Sequence, residues 1–201
     1  MDTVNGPMPC TSDSKQEAHT TGRRVCSTLL LLISVFCWAS SLWGQVPRAE
    51  ESQVKAAFLY NFGKFVKWPN GQSPLSFTIC VLGKDPFGPE LDSIVSGELV
   101  DGRAVTVRRI AGTQDAAGCR ILFISASEQN RLGLILSAVS KLPVLTVSDM
   151  PEFIERGGMI QFVLVGGRVR FDVNLGSTEN SGLAMSSELL KVAQRVKRKG
   201  D

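Results

Sequence analysis

The chain has 201 residues, 43% hydrophobic and 20% charged, with a formal net charge of +3 and a single histidine, His19. That balance excludes a disordered or fibrous chain. The small, dispersed positive charge and sparse aromatics leave no footprint for nucleic acid.

The N-terminal region decides the compartment. An apolar run from Val25 to Ala39 directly follows Arg23 and Arg24, and small residues at Ala39, Ser41 and Gly44 come next. A basic flank, an apolar stretch of about 15 residues and a small-residue site are the three parts of a secretory signal peptide. Extending the run to Trp43 brings it near the roughly 18 residues of a membrane span, so an uncleaved anchor is the alternative. Lipid attachment at Cys37 is disfavoured by the bulky Phe36 before it, and Arg23-Arg24 alone is a thin twin-arginine signal. Residues 1–44 thus read as a polar leader plus signal peptide, with Met8 an alternative start, and residues 45–201 as one domain working outside the cytoplasm. About 155 residues are enough to bury a sizeable core.

Cleavage removes His19 together with Cys10, Cys26 and Cys37, leaving Cys80 and Cys119. Without an imidazole, neither a Ser-His-Asp or Cys-His site nor a usual zinc site can be built. No cofactor or metal is expected. In an oxidising compartment two cysteines flanking strand-like runs read as a disulfide, with two buried free thiols as the alternative.

Residues Glu50 to Trp68 have the period of an amphipathic helix, with Val54, Phe58, Leu59, Phe62, Phe65 and Val66 on one arc. Trp68-Pro69-Asn70-Gly71 ends it. Phe62, Phe65 and Trp68 make an aromatic stripe that reads as core or as a partner-binding face. Leu75 to Leu82 is a strand buried on both faces. It runs into Gly83-Lys-Asp-Pro-Phe-Gly88, where Asp85 is placed to cap a helix with Pro86 at its first position.

Two further strands are expected at Ala104 to Arg109 and Arg120 to Ile124. Ser125 and Glu128 form a capping box for the helix carrying Leu132, Ile135, Leu136 and Val139. Pro143 to Val147 is a strand, followed by a short helix around Pro151 to Arg156. Met159 to Val165 and Arg168 to Leu175 flank Gly166-Gly167, a hairpin turn signal, and alternation in the second strand places the hairpin at a sheet edge. Arg108, Arg168 and Arg170 read as solvated strand residues or as contacts for an acidic partner. A last helix, Ser186 to Arg198, buries Leu189, Val192, Ala193 and Val196, its terminal lysines and arginines complementing the helix dipole. The predicted fold is a single compact α/β domain: a mainly parallel sheet with crossover helices plus a C-terminal antiparallel edge hairpin.

Taken in order, seven blocks of this sequence resemble the YfiR family of periplasmic regulatory proteins. They are Lys55-Ala-Ala-Phe-Leu-Tyr-Asn-Phe-Gly-Lys-Phe-Val-Lys-Trp-Pro69, Ile79-Cys-Val-Leu-Gly-Lys-Asp-Pro-Phe-Gly88, Cys119-Arg-Ile-Leu-Phe-Ile-Ser-Ala-Ser-Glu128, Val144-Leu-Thr-Val-Ser-Asp149, Gly157-Gly-Met-Ile-Gln-Phe162, Val169-Arg-Phe-Asp-Val-Asn-Leu175 and Met185-Ser-Ser-Glu-Leu-Leu-Lys191. The resemblance implies a small α/β periplasmic domain that restrains an inner-membrane sensor protein without chemistry, in the founding case a diguanylate cyclase making cyclic di-GMP. A histidine kinase is the other sensor class considered. The resemblance also implies that Cys80 and Cys119 correspond to one of two disulfides in the founding member. Residues 144–162 hold no cysteine for the second.

A second reading is a small-molecule sensor or carrier. Its pocket would lie at the carboxyl ends of the parallel strands, with Gly83, Lys84, Asp85, Phe87, Ser125 and Ser127 as a ligand or anion loop. An enzyme is a third: Asp85, Asp149, Glu152 and Asp172 are carboxylates, but their spacing singles out no pair. The edge hairpin and aromatic helix also allow a homodimer.

Overall fold

The protein is described from a computed structural model, which covers residues 48–69 and 75–200. These lie in a compact unit, Gln45–Asp201. The leader and signal-peptide reading of residues 1–44 lies outside the described residues. Among the described residues no helix is long and apolar enough to cross a membrane.

Helix α1 (Arg48–Phe65) leads into β1 (Val66–Lys67), then β2 (Phe77–Leu82), α2 (Pro89–Val95), β3 (Leu99–Val100) and β4 (Arg103–Ile110). A 3-10 turn, Thr113–Gly118, precedes β5 (Ile121–Ile124), and a second, Ala126–Arg131, opens α3 (Leu132–Val139). There follow β6 (Leu145–Ser148), β7 (Ile160–Val165), β8 (Arg168–Asn174), α4 (Leu175–Asn180), β9 (Ala184–Met185), α5 (Ser187–Val192) and β10 (Arg195–Lys197). The main sheet has the order β10-β8-β7-β6-β5-β2-β4-β3, while β1 and β9 form a separate antiparallel pair. Pairing is parallel from β4 through β7 and again between β8 and β10, and antiparallel in β7-β8 and β3-β4. This is the predicted mixed, mainly parallel α/β domain.

Strand alternation distributes the core to both faces of the sheet. Ile79 and Val81 of β2 and Ile121 and Phe123 of β5 pack with Leu59 and Phe62 of α1 and Leu91 of α2. Cys80, Leu82, Leu122 and Ile124 point the other way, onto Leu132, Ile135 and Val139 of α3. Crossovers that run toward opposite edges therefore carry their helices on opposite faces, as right-handed connections require. Cys80 and Cys119 form a disulfide, with Cα atoms 5.8 Å apart. It ties β2 to the chain entering β5 inside the second core.

Several local expectations change. Helix α1 stops at Phe65 instead of Trp68, because Val66 and Lys67 pair with Met185 and Ala184, and the Ser186 N–H donates to the Phe65 carbonyl at 2.8 Å. Val54, assigned to the buried arc, is 39% exposed. The helix after β2 starts at Pro89, not at Pro86: Asp85 closes a local turn by accepting the Phe87 N–H at 2.8 Å. Ser125 caps the 3-10 turn, but Glu128 does not reach back to it; Glu128 pairs with Arg131, and the Ser125 N–H goes to the Leu82 carbonyl.

Residues 151–157 form consecutive turns, not a helix. The hairpin has its Gly166-Gly167 turn, with φ of +57° and +74°, the left-handed geometry such a turn needs. It does not supply the sheet edge, since β10 pairs alongside β8. Consequently Asp172 and Asn174, on the polar face of the alternating second strand, are buried instead of solvated. The last helix is only Ser187–Val192; the chain beyond it becomes β10, where Arg195 binds Asp172 and Glu155 and Lys197 binds Glu155. These ionic partners, beside a free sheet edge, outweigh helical continuation.

Candidate functional site

The sheet order contains one reversal that concerns function. From β2 the chain crosses to β4 on one side, then returns to the other side of β2 for β5 and continues outward to β6 and β7. The loops leaving β2 and β5 therefore part in opposite directions, and open α/β sheets bind ligands in the crevice outside the strand ends at such a point.

A cleft of about 570 Å³ lies there, lined by Ser52, Lys84, Asp85, Pro86, Ser125, Ala126, Ser127 and Asp149. The volume falls within the range of small-molecule sites. Four of the six residues singled out in the sequence as a ligand loop, Lys84, Asp85, Ser125 and Ser127, share this cleft. The other two act differently. Phe87 is buried and packs edge-on against Phe123 with ring centroids 4.7 Å apart, which anchors the loop to the core. Gly83, at φ +89°, brings the loop so close that an added Cβ would sit 2.5 Å from Ser127 Oγ and 2.8 Å from Glu128 Cγ.

Each polar group is held by its neighbours. The Lys84 N–H donates to Ser127 Oγ at 2.9 Å, joining the two loops. Arg109 Nε donates to Asp85 Oδ2 at 2.9 Å, while the same guanidinium grips both oxygens of Asp92 at 2.7 and 2.6 Å and the Gly88 carbonyl at 2.7 Å. The hydrogen bonds that Arg109 donates to Asp92, followed by the one it donates to Asp85, push its pKa above the ordinary value despite partial burial. The Arg109 hydrogen bonds in turn hold the Asp92 carboxyl below the usual range.

Beyond β6, the buried Ser148 hydroxyl donates to the Ile124 carbonyl at 2.7 Å and accepts the Met150 N–H at 3.1 Å. That bend places Asp149 on the rim. Lys55 of α1 reaches Asp149 at 2.8 Å and Glu51 at 2.6 Å. Burial opposes its charge, but these partners win and raise its pKa.

The proposed partner face separates in space. Phe62 is fully buried, stacked near Phe162 and edge-on to Phe171, so it belongs to the core. Trp68 is half-buried against Phe77, with ring centroids 5.2 Å apart. Phe65 alone of the three is exposed, at 39%.

Sequence reasoning missed Ser52 and Asp149 as cleft residues, and Arg109 as the clamp on Asp85. Asp149 carried a usable signal, since it follows a strand of the parallel sheet. Ser52 carried none, being an ordinary polar residue in the first turns of a helix. Among the described residues no group of three or more His, Cys, Asp or Glu is placed to hold a metal ion.

The family model of YfiR/HmsC-like proteins matches residues 52–194. Among solved structures, a conserved domain protein from Vibrio cholerae O1 biovar El Tor matches at a TM-score of 0.48 and 11% identity, covering 75% of this chain and 60% of that one. An ABC domain from Streptococcus pneumoniae, in complex with L-Trp, matches at a TM-score of 0.48 and 14% identity, covering 70% of this chain and 60% of that one. The chain spans 60% of the length of each of these structures.

Proposed function

The chain belongs to the YfiR/HmsC-like family, and on that premise we propose that it docks on the outward-facing domain of an inner-membrane diguanylate cyclase and restrains it. Proteins of this family are periplasmic, non-catalytic regulators of cyclic di-GMP signalling that act with a membrane signalling protein. The family match carries the reading; it runs from the first turns of α1 to the residue before β10. Restraint of this kind is a population shift: the regulator binds the inactive form of its partner better than the active form, and that difference sets how far activity falls.

The state of the carboxylates supports binding over chemistry. Asp85 is tied to Arg109, Asp149 to Lys55 and Asp172 to Arg195. These three carboxylates are thus occupied as ion-pair partners within the fold. For the contact surface we place Phe65 at the centre, because it alone of the three aromatics is exposed, and exposed aromatics are the anchors that dominate protein interfaces.

Affinity capture of the tagged, exported protein from gently solubilised membranes tests the reading. Recovery of a diguanylate cyclase, reduced by Phe65→Asp, supports it. Recovery of a histidine kinase instead replaces the proposed output, and an empty capture from a folded, exported bait overturns docking.

A further inference from the structure

We infer that the cleft between the loops after β2 and β5 is a binding site for a small organic acid, with its oxyanion held by Lys84 and Ser125 and its hydroxyl or amino donors facing Asp149. This inference does not depend on the identity of any protein partner.

Three observations carry it. The cleft sits at the one place where parallel strand order reverses beside β2, and its eight lining residues come from α1 and from the loops after β2, β5 and β6. Convergence of four separate segments on one hollow is how an α/β sheet builds a ligand site.

The second observation is a hydroxyl with a spare donor. Ser125 is only 6% exposed, and its Oγ accepts the Ser127 N–H at 3.4 Å. No acceptor for its own O–H is found among the described residues. Because Ser125 lines the cleft, that O–H is available to a ligand oxygen without breaking a hydrogen bond inside the fold. Ser127 cannot serve equally: its Oγ already accepts the Lys84 N–H and lies 3.5 Å from Glu128 Oε1.

The third is the charge arrangement. Both acids lining the cleft are engaged by cations outside the lining, Asp85 by Arg109 and Asp149 by Lys55. Lys84 is exposed and makes no ion pair with the described residues. The lining thus offers one uncommitted positive charge, which matches a single carboxylate or phosphate. The Lys55 bond uses Asp149 Oδ2, leaving Oδ1 as acceptor for a hydroxyl or ammonium.

The test is two-dimensional NMR of the isotopically labelled whole protein, titrated in turn with malate, gluconate, serine and glucose 6-phosphate. Glucose serves as the neutral control and sulfate as the adventitious-ion control. The inference predicts saturable shifts at the amides of residues 83–87 and 125–127 with at least one acid and none with glucose. Lys84→Met should weaken that binding about tenfold, the loss of one charge-assisted hydrogen bond, without altering the melting temperature of the free protein. Ser125→Ala should weaken it further, and Lys191→Met should change nothing. Malate, gluconate and serine against glucose 6-phosphate separates carboxylate from phosphate recognition. Absence of saturable shifts with every acid, shifts with sulfate only, or binding unaltered in Lys84→Met would each overturn the inference. None of these readouts involves a membrane partner, so its failure is distinct from failure of the docking proposal.

Discussion

The N–H of Lys84 donates to Ser127 Oγ at 2.9 Å, one hydrogen bond across the point where strand order reverses. Two loops that leave adjacent parallel strands toward opposite edges are thereby fixed to one another. The separation between them, and hence the shape of the cleft, depends on how closely the chain approaches at Gly83.

Gly83→Ala should therefore be costly. It adds a Cβ at φ +89° within 2.5 Å of Ser127 Oγ, combining backbone strain with a collision. The expected loss is about 2–3 kcal/mol, from left-handed strain plus displacement of the opposing loop. Chemical denaturation measures it; a loss below about 0.5 kcal/mol, the scale of a neutral surface change, counts against the close approach.

Removing the disulfide with Cys80→Ala and Cys119→Ala together should lower stability by about 4 kcal/mol, the loop-closure value for a bridge of this span. Alanine avoids burying new polar atoms at two positions that are 0% and 3% exposed. Urea unfolding of the double variant gives the number, and the wild type with reductant should approach it. Equal midpoints with and without reductant would argue that the thiols are free.

Asn174 holds three elements at once. Its Nδ2 donates to the Ile154 carbonyl at 2.9 Å, and its Oδ1 accepts the Ser177 N–H at 3.0 Å. Asn174→Ala strips both from a buried site, with an expected cost of about 2–4 kcal/mol. Asn174→Asp keeps the cap on α4 but sets a carboxylate oxygen against the buried Ile154 carbonyl, so its cost in thermal unfolding should be at least as large.

Acid should weaken the fold through two carboxyls in particular. Hydrogen bonds from Arg109 hold Asp92 below its ordinary pKa, and those from Lys197 and Arg195 do the same for Glu155. A carboxyl depressed in the folded state contributes stability that is present above its unfolded pKa and is lost as pH falls through the folded one. The melting temperature should stay level down to about pH 5 and decline below about pH 4. Arg109→Met should remove part of that slope. A melting temperature that rises on acidification contradicts the assignment.

At the proposed contact surface, Phe65→Asp should abolish partner capture while costing about 1–3 kcal/mol of stability, since Phe65 is only 39% exposed and the rest of its surface is covered. Phe62→Ala, by contrast, should cost about 3–5 kcal/mol as a core truncation. Capture that survives Phe65→Asp places the interface elsewhere.

Much of the architecture was legible in residue order. Continuous apolar runs at Ile79 to Leu82 and Ile121 to Ile124 marked strands buried on both faces, and Gly166-Gly167 between two strand-like runs, the second alternating, marked the hairpin. These signals are local: side-chain period and turn chemistry act over a few residues, so they survive without knowledge of neighbours. The loops after β2 and β5 were legible for a related reason, because ligands gather at the carboxyl ends of parallel strands.

What tertiary structure alone decided were the competitions between local preference and distant partners. Residues 195–197 lie in a stretch with helical spacing, yet they are a strand because β8 offers an unpaired edge and Asp172 and Glu155 offer charge. Phe62 and Phe65 stand three residues apart on one helix, yet one is core and the other surface, since the sheet covers only part of the arc. Asp149 enters the cleft because Ser148 bends the chain against Ile124, and Asp85 is neutralised by an arginine on a strand that lies 24 residues away. The sequence by itself determined the class of fold and the strand ends at which the inferred ligand cleft lies. Which charges remain uncommitted there was decided only by folding, because ion pairs form between residues that no periodicity connects.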